Sequence, residues 1–161
     1  MNKKNTLAKM EKLLHQLPSP ELDKVKHFLR KEFITLITVI STTNDIDGEG
    51  NPPPKLSACL TALRFFIAWH LWMYQGYKIT PIASYIFCET DGGFGIHFET
   101  EKYGLFMMIK TQEDNVAWYG YNGNKKAMNE ELIETKSVTK IKLKKYRKTE
   151  GIPEFFLKFQ T

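Results

Sequence analysis

Asp91-Gly92-Gly93-Phe94-Gly95-Ile96-His97-Phe98-Glu99 decides the fold class of this chain. Glycine takes positive φ without a steric penalty, so Asp-Gly-Gly marks a tight hairpin turn. After the turn, Phe94, Ile96 and Phe98 alternate with Gly95, His97 and Glu99, the two-residue period of a strand. The pattern continues on both sides. Ile82 to Cys88 reads as a strand entering the turn. Glu101-Lys102-Tyr103-Gly104 is a second turn, Leu105 to Thr111 a third strand, Gln112 to Asn115 a further turn, and Val116 to Tyr121 a fourth strand. Short turns between consecutive strands predict an antiparallel meander. Asn122-Gly123-Asn124 closes it, and Lys125 to Glu134 reads as a short polar helix or loop. Ser137 to Arg147 reads as one more strand, with Ile141 and Leu143 inward and Lys140, Lys142 and Lys144 outward. The tail Pro153-Glu154-Phe155-Phe156-Leu157-Lys158-Phe159 is too apolar to float free and is expected to dock.

The chain upstream has a different period. Leu7, Met10, Leu13, Leu14 and Leu17 form one helical stripe, with Thr6 expected as its N-cap and Pro18 as its stop. Ser19-Pro20-Glu21 restarts a helix, and Leu22, Val25, Phe28, Leu29, Glu32, Phe33 and Leu36 carry it on. Ile34 to Ile40 is read as the end of that helix, buried on all sides. Asp45-Ile46-Asp47-Gly48-Glu49-Gly50-Asn51-Pro52-Pro53-Pro54 can continue neither helix nor sheet and must be a loop. Beyond it, Leu56 to Tyr74 carries a broad apolar stripe that includes Phe65, Ala68, Trp69 and Trp72. This predicts a central third helix ended by Gly76. The fold class is therefore α+β: N-terminal helices, then an antiparallel meander packed on the third helix. At 161 residues one domain over 1–161 is expected, with a helical part over 1–44, the loop over 45–54 and a helix-plus-sheet part over 55–161.

Composition narrows the class. Hydrophobic residues make up 42% and aromatics 13%, enough for a real core and against whole-chain disorder. No uninterrupted apolar run reaches the roughly 18 residues that span a bilayer. The basic start lacks the apolar stretch of a signal peptide, so a cytoplasmic protein with no membrane partner is expected. Cys59 and Cys88 are expected as reduced, buried thiols rather than a disulfide. The net charge is +5, yet residues 136–148 hold seven cations and no acid, so the rest of the chain carries a net −2. A nearly neutral body with one basic segment bears on partners rather than on fold.

Read in order, Asp47-Gly48-Glu49-Gly50 with its prolines, Ala62-Leu63-Arg64-Phe65-Phe66 on a helix, Pro81, and Asp91 to Phe98 resemble a set of small prokaryotic proteins. That set carries a Trp-Asp-Gly-x-Gly-x-x-Pro loop, a helix ending near Leu-Pro, and an Asp-Gly-Gly hairpin followed by Glu-Trp. The resemblance covers residues 40–121, about half the chain, with Ile46 and Phe98 standing in place of the two tryptophans. It implies a fold more than an activity. It also implies companionship with toxin–antitoxin-like or mobile defence loci.

Candidate sites follow from residue type and spacing. Laid on a calcium-loop template, Thr43 fails at position one and Pro54 stands where a bidentate glutamate is needed, so no metal is expected there. Asp45 and Asp47 are expected instead to accept backbone N–H groups in a turn and to cap the next helix. His15, His27, His70 and His97 lack zinc spacing. There is no nucleophile elbow, phosphate-binding glycine loop or dinucleotide fingerprint, and no cofactor is expected. His97 beside Glu99 is the one pair suited to acid–base work, as in a small hydrolase-type enzyme, and is the weakest reading. Lys140, Lys142, Lys144, Tyr146, Arg147 and Lys148 form a basic strand able to track phosphates, with Tyr146 stacking on a base. The bland alternative is an edge strand whose lysines block edge-to-edge pairing. Trp118, Tyr119 and Tyr121 place aromatics on both faces of one strand, more than a sheet covered on one face needs, which points to a protein-binding surface. The leading expectation is a non-enzymatic protein-binding module. It would serve as an antitoxin-like inhibitor or a small subunit of a prokaryotic or phage defence or counter-defence complex. A nucleic-acid-binding accessory protein is the alternative.

Overall fold

The structure is a computed structural model and describes residues 1–18, 20–100, 103–122, 139–149 and 151–158. Helix α1 runs over Lys3–Leu14. Its N-cap is Asn2, whose side chain accepts from the Asn5 backbone N–H at 2.9 Å. Thr6, expected as the cap, lies inside the helix. It is buried, and its hydroxyl donates to the Asn2 carbonyl at 2.8 Å. Leu17 is buried in the turn after α1. Ser19 lies outside the described residues, and α2 begins only at Asp23, running to Thr42.

Helix α2 buries Val25, Leu29, Phe33, Leu36, Ile37 and Ile40, the expected stripe. The β-branched stretch is helical, but it is not buried on all sides: Ile34 is 41% and Val39 42% exposed. Both fall off the row that faces the core. Arg30 holds Glu11 in a two-pronged ion pair, Nε to Oε1 at 2.8 Å and the second nitrogen to Oε2 at 3.1 Å, which ties α2 to α1. The pair pulls the Glu11 carboxyl below its usual range. Because it is partly exposed, its energetic contribution is small, about 0–1 kcal/mol.

Helix α3 covers Leu56–Tyr77 and passes through Gly76, where the sequence predicted a stop. Lys78 in the left-handed conformation, φ 56°, ends it instead. By length and composition α3 is apolar enough to cross a bilayer, which a search for uninterrupted apolar runs overlooks. Here its apolar surface is spent on protein. Phe66 meets Phe33 of α2 edge-on at 6.1 Å between ring centroids. Trp69 meets Phe98 of the sheet at 5.7 Å. A helix apolar on nearly every side belongs in a core between layers.

Among the described residues the sheet has five strands in the order β1-β2-β3-β4-β5, every neighbour antiparallel. They are Tyr85–Cys88, Phe94–Glu99, Tyr103–Lys110, Asn115–Asn122 and Thr139–Lys142. The register puts Phe94, Ile96 and Phe98 with Ile109, Met107 and Leu105, and then Val116 with Ile141, on the face toward α3. The fold is α+β, with N-terminal helices and an antiparallel meander packed on α3. The expected strand over Ser137 to Arg147 is shorter than predicted. It stops at Lys142 and becomes a 3-10 helix over Leu143–Lys148 that is kinked at Lys145, where φ is −100° and ψ 33°. The expectation for Lys125 to Glu134 lies outside the described residues. The tail does dock: helix α4, Gly151–Lys158, buries Ile152, Phe155 and Phe156. Phe155 packs so close over Gly120 of β4 that an added Cβ there would sit 2.7 Å from its ring.

His70 lies inside this core, 1% exposed, with Nδ1 2.6 Å from the Phe66 carbonyl. A carbonyl only accepts, so Nδ1–H donates. Burial pushes the imidazole pKa down to about 4, against the opposing pull of the Phe66 and Pro81 carbonyls. The unfolded chain therefore takes up the proton first as pH falls. His70's contribution is complete above pH ~6.5 and is lost progressively from there toward pH 4, about 3 kcal/mol in all. The urea midpoint should fall across that window, and His70→Leu should make the fall shallower.

Candidate functional site

The basic segment is two structures. In β5, Lys140 pairs with Ala117 and Lys142 with Asn115, on the face turned away from α3. Beyond Lys142 the period changes from two to three. Leu143, Tyr146 and Thr149 recur at the spacing of a 3-10 helix, and this row turns inward. Leu143 is buried, and its N–H donates to the Asp114 carbonyl at 3.3 Å. Tyr146 lies edge-on to Trp72 of α3 with centroids 6.4 Å apart. Thr149 is fully buried, and its hydroxyl donates to the Tyr146 carbonyl at 2.6 Å, fixing the passage into α4.

With that row anchored, Lys144, Lys145, Arg147 and Lys148 are all exposed, as are Lys140 and Lys142. Among the described residues, none of the six lies within ion-pair reach of an acid. The Arg147 guanidinium sits 5.8 Å from the centre of the Tyr146 ring. The sequence placed Lys144 and Tyr146 on one strand face with Lys140 and Lys142. The structure separates them, because Tyr146 is a partly buried anchor and Lys144 lies on the 3-10 helix. The three-residue recurrence of Leu143, Tyr146 and Thr149 was the signal available for this turn.

Beside the 3-10 helix runs a groove of about 340 Å³ against α3. Arg64, Leu71, Trp72, Gln75, Tyr146 and Arg147 line it, and among the described residues no carboxylate does. Arg64, Trp72 and Gln75 belong to α3 and were not singled out as site residues in the sequence. Their faces could be assigned only once the 3-10 helix was seen against them.

The aromatic strand divides differently from expectation. Trp118 is 6% exposed and belongs to the core, packed beneath Gly151 at the start of α4. Its ring, expected on a docking surface, offers little area to a partner. Tyr119 and Tyr121 occupy register positions opposite Phe106 and Gly104, on the far side of the sheet. Their side chains lie outside the described residues. That far side carries Tyr85, 42% exposed, with Phe87 packed over Gly95.

His97 is also on this side, yet it is 3% exposed rather than solvated as an outer-face strand histidine is expected to be. Phe106 stacks on it at 3.8 Å and 7°, and Nδ1 lies 2.8 Å from the Tyr85 hydroxyl. Glu99 is farther, at 3.8 Å. A ring sandwiched in this way is placed for packing, and a reactant approaching Nδ1 would have to displace Tyr85. Cys59 and Cys88 are free thiols. Burial pushes them up to about 12 and about 11, which keeps them protonated and unreactive.

The acid–proline loop is a self-contained turn. Asp45 Oδ1 accepts from the Gly48 and Gly50 N–H groups at 2.9 and 3.0 Å, and Asp47 Oδ1 from Glu49 at 2.9 Å. The expected backbone bonds are present. The expected helix cap is not, since the N-cap of α3 is Lys55 and no side chain caps it. Among the described residues no group of three or more His, Cys, Asp or Glu side chains gathers as a metal site.

Trp118→Ala should behave as a core deletion, lowering stability by about 3–5 kcal/mol. Thermal unfolding would show a large drop in midpoint, where loss of a surface anchor would show none.

The chain matches no protein-family model, no curated protein and no solved structure.

Proposed function

We propose that the protein binds nucleic acid through the cationic ridge formed by β5 and the 3-10 helix. One observation carries this reading. Protection of a sheet edge accounts for Lys140 and Lys142, which lie on an edge strand. It does not account for Lys144, Lys145, Arg147 and Lys148, which lie past the end of the strand. Four exposed cations held on a short, anchored helix, with no acid within ion-pair reach among the described residues, form a field suited to a row of phosphates.

Fluorescence anisotropy with a labelled oligonucleotide tests this. Affinity should fall steeply with salt, with a log–log slope of about 3–4 for a single strand neutralising most of the ridge. Lys144→Glu with Lys148→Glu should weaken binding at least tenfold while leaving the unfolding midpoint nearly unchanged. Salt-independent binding, or a double variant that binds as well as the parent, would sink the proposal.

A second reading is supported by Tyr85, Phe87 and Phe106 on the far side of the sheet. A protein partner docking there would make this an antitoxin-like inhibitor or a small subunit of a defence complex. Tyr85→Ser, at an exposed position, should then abolish stoichiometric co-purification of that partner and leave oligonucleotide affinity unchanged. Undiminished recovery with this variant would remove the reading.

A further inference from the structure

The groove between α3 and the 3-10 helix has a chemistry that the ridge alone does not use. We infer that it receives one unstacked base of a single-stranded nucleic acid while the ridge beside it holds the flanking phosphates. This rests on the ridge binding nucleic acid, and it adds which form is bound.

The lining matches a base in three respects. Trp72 and Tyr146 bring two aromatic rings to the groove, and they meet edge-on at 68° rather than stacked on each other. An edge-on contact covers one face of one ring and leaves the other faces of the pair uncovered by it, and base–aromatic stacking is the usual source of affinity for single strands. Arg64 and Arg147 supply fixed forks of N–H donors and a planar face, while Gln75 offers both a donor and an acceptor to a base edge. The volume, about 340 Å³, is at the lower end of small-molecule sites, which run from roughly 300 to 1,000 Å³. That suits one planar base and not a helix of paired ones.

The occupant is argued from charge and length. Among the described residues no carboxylate lines the groove, and Arg147 belongs to both groove and ridge, so base and phosphates would be held side by side. A four-residue strand followed by a six-residue 3-10 helix gives the ridge a contour of roughly 25 Å. That exceeds what a lone mononucleotide would occupy. In a duplex the bases are already stacked and paired, so a duplex reaches the ridge but not the groove.

The test compares a labelled single strand of roughly 12 nucleotides, as RNA and as DNA, with the duplex of the same length and with a free mononucleotide as competitor. The parent protein should bind at least one single strand several-fold more tightly than the duplex. Trp72→Ala should cost about tenfold in single-strand affinity and leave duplex binding unchanged, with Trp72→Phe restoring most of the loss. Because Trp72 is partly buried, Arg64→Ala at an exposed groove position serves as the second variant, and it should lower single-strand affinity several-fold at an unchanged unfolding midpoint. Equal or tighter duplex binding with a steep salt dependence, or no effect of either variant, would overturn the groove assignment while the ridge reading stands. A mononucleotide that binds as tightly as the single strand would also overturn it. Absence of binding to every oligonucleotide would remove the ridge reading and this inference with it.

Discussion

Trp69 is where the layers of this molecule are joined. It is fully buried on α3, with Phe98 of β2 at 5.7 Å and Phe156 of α4 at 6.5 Å. Phe98 and Phe156 meet each other edge-on at 5.3 Å, so three elements distant in sequence close around one indole. On the neighbouring side of α3, Phe66 meets Phe33 of α2. Apolar burial of this kind is the main favourable term in folding, and a large ring delivers much of it at one point. The helical layer, the sheet and the C-terminal helix thus share one core, and the positions of the cationic ridge and of the far sheet face follow from it.

The parts of the fold that were legible in the sequence were those whose local period and burial agree. Strand β2 covers the alternation of Phe94, Ile96 and Phe98, which face α3, while Gly95 and His97 on its other face are covered by Phe87 and Phe106. The stripe on α3 is broad because the helix is enclosed. The misreadings have physical causes of the opposite kind. Thr6 has the chemistry of a cap, but Asn2 competes for the same role one turn earlier. Alternation through Ile141 and Leu143 looks like a strand that continues, because Leu143 belongs both to the end of the two-residue pattern and to the start of the three-residue one.

The site residues were less legible than the fold, since they depend on contacts between distant segments. Trp118 could face either side of β4 as far as its own strand tells. The docking of α4 against Gly120 and over Trp118 places it in the core. His97 looks solvent-facing by alternation, yet Phe106 and Tyr85 from the two flanking strands enclose it. Residues Lys140, Lys142, Lys144, Arg147 and Lys148 were visible as charge, but their separation into an edge strand and a helix was not. Trp72 and Arg64 gain meaning only from the segment that α3 happens to face.

The three-residue row of Leu143, Tyr146 and Thr149 has a mechanical side. It pins a short stretch whose outward side chains all carry the same charge and repel one another. Burial of the row and its hydrogen bonds, which salt screens little, hold the stretch in place against that repulsion, which salt does screen. The segment is thus a loaded spring with its catch in the core: added counter-charge from any source relaxes it and tightens the fold. Its stability is set to rise with ionic strength, in contrast to a surface held together by ion pairs.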